Sequence, residues 1–320
     1  MSIIELKGLK KSFWSRENGK KKEVEAVKGI SLSIDEGEVF GFLGPNGAGK
    51  TTTQRMLATL LSIDGGTASI AGFDVAKSPK DVRRVIGYVG QVGGTDNFAT
   101  GRENLTLQGR LYGMDRADIE KSIERLMDLF DLRDIADRLA KTYSGGQKRR
   151  LEVALGLVHG PRILFLDEPT AGLDPHNRAS LWNHVKELKD NGITILLTTH
   201  YLDEADKLCD RVAIIDHGEI VAVGTPKELK DEIAGETIKM EMETENDAGA
   251  AAELFRGEHF VRETRADGSY VNLIVGEGST ALPRIFETLK NTNIAAKSIS
   301  MARPTLDDVF LKLTGRSLRD

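Results

Sequence analysis

Apolar and polar residues alternate over Ile3–Phe13 and again over Val24–Ile34, the period-two spacing of strands, and the polar stretch Trp14–Lys22 joins them. Glu38–Leu43 is a short apolar strand running into a glycine-rich loop, and Lys50–Leu61 behind it reads as a helix. Asp118–Phe130 has helical spacing, with Ile119, Ile123, Leu126, Met127 and Phe130 on one face. A further helix is expected from near Gly146, where Leu151, Ala154, Leu155 and Val158 recur at helical intervals. Ile163–Leu166 and Ile193–Thr198 are short apolar runs of the kind buried in parallel sheets. Strands like these alternating with helices predict an α/β core.

The pattern changes after Lys230. Thr237–Glu243 reads as a strand, Ala248–Arg256 as a helix, and Phe260–Thr264 with Tyr270–Val275 as a hairpin around Ala266-Asp267-Gly268. Ala281–Lys290 is a second helix, Ala295–Ser300 a last strand and Leu306–Leu313 a closing helix. The order β-α-β-β-α-β predicts a small α+β, ferredoxin-like domain. Two domains are therefore expected, 1–235 and 236–320, and a chain of 320 residues accommodates two at ~100–200 residues each.

Composition narrows the function classes. The net charge of -5 offers no basic excess, so nucleic acid is not an expected partner. The lone cysteine, Cys209, cannot form an intramolecular disulfide; it reads as a small packing residue and fits a reducing compartment. No apolar run approaches the ~18–20 residues that span a bilayer, and the N-terminus lacks the apolar segment of a signal peptide. Any membrane contact is thus expected through another protein. Lys20–Lys22, followed by Glu23 and Glu25, reads as a solvated hairpin tip rather than a lipid contact.

Three segments carry chemistry. Gly44-Pro45-Asn46-Gly47-Ala48-Gly49-Lys50-Thr51 is a complete phosphate-binding loop in its required place, between a strand and a helix. Its backbone N–H groups and the helix dipole suit phosphate oxygens, Lys50 suits the β- and γ-phosphates, and the Thr51 hydroxyl suits Mg²⁺. Ile163-Leu164-Phe165-Leu166-Asp167-Glu168 ends an apolar strand in two carboxylates. Asp167 is placed to hold Mg²⁺ through its water shell, leaving Glu168 to polarise an attacking water. Ser144-Gly145-Gly146-Gln147 opens a basic helix (Lys148, Arg149, Arg150) and makes a second anion site from backbone N–H groups. One nucleotide does not obviously need two such sites from one chain, whereas a nucleotide lying between two copies would use both.

In this order and spacing the segments resemble the nucleotide-binding domain of ATP-binding cassette (ABC) transporters, over roughly residues 3–230. The resemblance implies a P-loop ABC-type α/β domain in which 44–51, with Thr52 behind it, is the Walker A motif and Ser144–Gln147 the signature motif. It implies that Glu168 is the catalytic carboxylate, that Gln91 is the Q-loop glutamine sensing Mg²⁺ and the membrane partner, and that His200 is the switch histidine at the γ-phosphate. Ala171-Gly172-Leu173-Asp174 matches the D-loop, although Asp174 before Pro175 is also an ordinary helix start. Phe13 falls where the family stacks an aromatic ring on adenine, with Trp14 adjacent. Two departures are visible, Tyr143 where leucine is frequent and Gly172 in the D-loop; neither removes a functional group.

Gly101–Leu105, Leu111-Tyr112-Gly113 and the tail Pro304–Leu311 are similar to the daunorubicin-resistance subfamily. The implied protein is an exporter ATPase, with drug or antibiotic efflux a candidate transport. It would use ATP and Mg²⁺, sit at the cytoplasmic face of the cell membrane as a homodimer, and pull on a separate permease through roughly Val92–Leu105. The alternatives are an importer ATPase with a regulatory C-terminal domain and a soluble, non-transport ABC ATPase. For the C-terminal module, dimerisation or stabilisation is expected ahead of ligand sensing.

Overall fold

The computed structural model describes residues 1–17, 20–232, 235–292, 294–302 and 304–315, and the chain forms two compact units, Met1–Pro226 and Lys227–Asp320. The division falls one short helix ahead of the boundary expected near 235.

In the first unit the elements run β1 (Ser2–Glu17), β2 (Lys20–Asp35), β3 (Val39–Leu43), α1 (Lys50–Leu57), β4 (Gly65–Ile70), β5 (Phe73–Asp74), α2 (Pro79–Val85) and β6 (Ile86–Val89). They continue with α3 (Gly101–Leu111), α4 (Arg116–Leu129), α5 (Gly145–Leu157), β7 (Ile163–Asp167), α6 (Pro175–Asp190), β8 (Thr194–Thr199), α7 (Leu202–Leu208), β9 (Arg211–Asp216) and β10 (Glu219–Gly224). β1 and β2 pair antiparallel further out than their alternation suggests, so most of the expected polar connection is strand; residues 18–19 lie outside the described residues.

One sheet, in the order β2-β1-β4-β5, is antiparallel. The other runs β10-β9-β3-β8-β7-β6 and is parallel apart from its β9–β10 edge. Every residue of β3, β7 and β8 is buried, as expected for apolar strands covered on both faces. Phe40, Phe42, Phe165 and Leu196 share a core with Ile4, Leu6, Ile30 and Ile34 of the first sheet and with Met56 and Leu57 of α1. The apolar stripe expected on α4 is buried throughout. Helix α1 stops short of Leu61, because Thr59 takes a left-handed φ of 61° and the amides of Leu60 and Leu61 turn back to the Arg55 carbonyl.

This strand order determines where chemistry can occur. β3, β8, β7 and β6 are parallel neighbours, so the segments leaving their carboxyl ends meet along one edge. Those segments begin at Gly44, His200, Glu168 and Gly90.

α8 (Pro226–Asp231) begins at the division, and the second unit continues with β11 (Glu236–Met242), α9 (Glu245–Arg256), β12 (Val261–Asp267), β13 (Tyr270–Val275), α10 (Gly278–Thr292), β14 (Ala296–Ala302) and α11 (Leu306–Thr314). The sheet order β12-β13-β11-β14, antiparallel throughout, is that of a ferredoxin-like fold. Its core joins Ile238, Met240, Val271 and Leu273 to Ala251 and Phe255 of α9 and Ile285 of α10.

Candidate functional site

The loop between β3 and α1 is shaped by close approach. A Cβ at Gly44 would meet the Ile215 carbonyl, and one at Gly49, whose φ is 104°, would meet that of Ala26. Only glycine passes at both places. Lys50, the first residue of α1, is 4% exposed and donates from Nζ to the carbonyls of Gly44 at 2.6 Å and Pro45 at 2.9 Å. Burial pushes its ammonium below the usual lysine range, and Glu168 and Asp167 oppose that shift. Nζ lies 4.0 Å from Glu168 Oε1.

Asp167 is fully buried at the end of β7 and accepts from two hydroxyls at Oδ1, Thr51 Oγ1 at 2.7 Å and Thr198 Oγ1 at 2.7 Å. Tyr88 points its hydroxyl at Oδ2 from 3.5 Å. The next residue turns sharply: Glu168 has φ 45°, in the left-handed region that β- and γ-substituted residues seldom adopt. Its N–H is held by the Thr198 hydroxyl at 3.0 Å and carbonyl at 3.1 Å. The turn places its carboxylate between two other candidate side chains. Gln91 Nε2 donates to Oε2 at 3.1 Å, and His200 Nδ1 lies 3.2 Å from Oε1. Lys50, Thr51, Gln91, Asp167, Glu168 and His200 are thus one cluster, assembled from four strand ends.

Ser144–Gln147 is built differently. Ser144 is the N-cap of α5: its Oγ accepts from Gln147 N at 3.3 Å, while its own N–H donates to Gln147 Oε1 at 2.9 Å. Ser144 and Gly145 are exposed, and a Cβ at Gly146 would collide with Asn177. Among the described residues, no hydrogen bond or ion pair joins these four residues to Lys50, Thr51, Glu168 or His200. Asp174 caps α6, accepting from the N–H groups of His176 and Asn177 at 3.0 Å each, and the Asn177 amide beside it holds its carboxyl below the usual range. Phe13 and Trp14 are exposed neighbours on β1, the strand pleat sending them to opposite faces, with Lys11 Nζ 5.7 Å from the Phe13 ring centre.

Periodicity did not signal three contributors. Thr198 grips both carboxylate residues, and the available cue was a hydroxyl ending an apolar strand. Tyr88 gives no such cue. Arg149 reads in sequence as part of the basic helix behind the Ser-Gly-Gly turn; in the fold it is buried and bonded to backbone carbonyls, Lys148 donates to Asn97 at 2.9 Å, and Arg150 pairs with Asp131 at 3.5 Å. Tyr143 replaces a frequent leucine and uses its hydroxyl, donating to the Ile135 carbonyl at 2.6 Å.

Comparison with known proteins gives concordant matches. The ABC transporter family matches residues 27–171, and the family described as ATP-binding protein DrrA1-3-like, C-terminal domain, matches 224–314. The daunorubicin/doxorubicin resistance ATP-binding protein DrrA of Streptomyces peucetius is 44% identical over 99% of this chain and 94% of its own length. The linearmycin resistance ATP-binding protein LnrL of Bacillus subtilis is 33% identical over 99% of this chain and 100% of its own. Among solved structures, a nucleotide-free ATP-binding cassette from an ABC transporter superposes with a TM-score of 0.64 at 28% identity, covering 72% of this chain and 94% of that one.

Proposed function

The chain belongs to the ATP-binding proteins of the ABC transporter family, and from that premise we propose that it hydrolyses ATP to drive an exporter whose permease is a separate chain. The observation that carries this is the Glu168 carboxylate, held between Gln91 and His200 beside Lys50, the grouping that γ-phosphate hydrolysis requires. Relatives named for drug and antibiotic resistance weigh toward export and against the importer and soluble alternatives.

In this reading the 44–49 loop receives the phosphates on its N–H groups, with Thr52 just behind, and Lys50 exchanges its loop carbonyls for phosphate oxygens. The Thr51 hydroxyl and the Asp167 carboxylate, already in contact, form with the Gln91 amide the hard-oxygen donor set that suits Mg²⁺. Mg²⁺, when bound there, neutralises phosphate charge. Glu168 takes the proton of the attacking water, Gln91 fixes its carboxylate, and His200 approaches the γ-phosphate. Phe13, exposed on β1, offers a ring to adenine.

The second half of the site comes from another copy. Ser144, Gly145, Gly146 and Gln147, with Asp174, would close over the nucleotide held by the partner's phosphate loop, making the working unit a homodimer. The permease would be engaged through roughly Val92–Leu105, where Val92 and Phe98 are exposed, at the cytoplasmic face of the membrane. Among the described residues no helix is long and apolar enough to cross a membrane. The Lys227–Asp320 unit is assigned to dimerisation or stabilisation.

Tagged Glu168→Gln protein, incubated with Mg·ATP and recovered from detergent-solubilised host membranes, tests the reading. Co-purification of an integral membrane protein is expected. Recovery from the soluble fraction alone, with ribosomes, DNA or nothing, would overturn it.

A further inference from the structure

Arg149 lies two residues beyond Gln147 in α5, 7% exposed, and donates mainly to backbone atoms of two other segments. Nε donates to the Pro169 carbonyl at 2.8 Å, and Nη2 to those of Asp167 at 3.2 Å and Glu168 at 3.4 Å. Nη1 donates to the Gly90 carbonyl at 2.9 Å and to Glu152 Oε2 at 3.0 Å. Glu152, 8% exposed, packs so closely against Gly93 that a Cβ there would run into its carboxylate. One arginine–glutamate pair on α5 therefore touches the chain on both sides of Gln91 and on both sides of Glu168.

The chemistry explains why an arginine is needed. Glu168 occupies left-handed backbone that a non-glycine residue holds only when its surroundings impose it. Thr198 restrains the N–H side of that residue, and Arg149 restrains the carbonyl side. A planar guanidinium can bond carbonyls from two strand ends at once; a lysine ammonium donates from a single atom and cannot span them.

We propose that Arg149 is a positioning residue for hydrolysis, tying the loop that carries Gln91 to the peptide units flanking Glu168 and so fixing the direction of that carboxylate. The inference rests on Glu168 being the general base. Ser144 caps the same helix, so contact between Ser144 and the partner's nucleotide is relayed to this chain's own base through one side chain.

The test uses the purified full-length chain, with Mg·ATP turnover, ATP affinity and thermal melting measured for Arg149→Lys, Arg149→Gln, Gln91→Ala and the Gln91→Ala/Arg149→Lys double variant. The expected result for both Arg149 variants is kcat lowered ~10-fold or more with the ATP Kd within about threefold of wild type. The double variant should be no more than about twofold slower than the slower single variant, because both substitutions break one linkage. Wild-type turnover in Arg149→Lys, multiplicative losses in the double variant, or unfolding of both Arg149 variants would each overturn the proposal, the last by making Arg149 a fold-holding residue. Glu168→Gln is assayed alongside. Sustained turnover there removes the general-base reading and this inference with it, whereas an inactive Glu168→Gln beside an active Arg149→Lys removes this inference alone.

Discussion

Two glycine-containing turns suited to anions open two helices of this molecule, and they are finished in opposite ways. The 44–49 loop is surrounded: Lys50 is buried, Thr51 is bonded to Asp167, and Asp167 to Thr198. The Ser144 turn is exposed and satisfies itself through a reciprocal cap with Gln147. A turn that closes its own hydrogen bonds can stand at a surface without cost, while buried carboxylates need partners from other strands. The contrast fits the proposed division between a hydrolytic cluster built within one chain and a turn that this chain lends to another.

The largest expected effect lies at Glu168. Glu168→Gln should leave ATP binding intact and slow hydrolysis by ~10²–10⁴-fold, as expected for loss of a general base, read by steady-state phosphate release. On the other turn, Ser144→Ala should leave ATP binding by the single chain unchanged. It should abolish ATP-dependent dimerisation of the Glu168→Gln background in size-exclusion chromatography, and the lost cap should cost about 1 kcal/mol in a denaturant melt. Thr198→Val separates the two designs by stability. Removing its hydroxyl leaves buried Asp167 and the Glu168 N–H each one partner short, for ~1–3 kcal/mol, whereas Gly145→Ala, into open space, should change stability by less than ~0.5 kcal/mol.

The smallest effect is acid dependence at Asp174. Hydrogen bonds from Asn177 hold its carboxyl below the usual range in the folded state. A depressed folded pKa contributes stability above the unfolded value of about 3.9, and the contribution is lost as pH falls through the folded value. The melting difference between wild type and Asp174→Ala should therefore be largest near neutrality and shrink progressively below about pH 4. A difference that did not change with pH would mean the cap does not depend on the charge.

Much of the fold was legible because its signals are local. The glycine loop between a strand and a helix, the stripe on α4, and the β-α-β-β-α-β order after Lys230 are each written within a short stretch of chain, and each element is present. Helices α3 and α6 escaped the periodicity reading and declare themselves by their ends, a reciprocal cap between Thr100 and Glu103 and an Asp174-Pro175 start. The role of Cys209 was also legible: it is buried against Gly41, and burial pushes its thiol well above the usual range. The burial of Arg149 was not legible for a physical reason. A charged residue among charged neighbours carries no local sign of burial, because the carbonyls that satisfy it, here those of Gly90 and Asp167–Pro169, come from distant segments.

Residues able to do chemistry are identifiable from short stretches of chain: a lysine after a glycine loop, two carboxylates ending an apolar strand, a glutamine, a histidine and a capped Ser-Gly-Gly turn. Such features depend on neighbours within a few residues, where backbone geometry alone sets the spacing. Which of them meet depends on the packing of the whole fold. The order β3-β8-β7-β6 brings Lys50, His200, Glu168 and Gln91 to one edge and turns Arg149 toward the carbonyls behind them. Strand order follows from burying apolar faces contributed by the whole chain, and no local period records it.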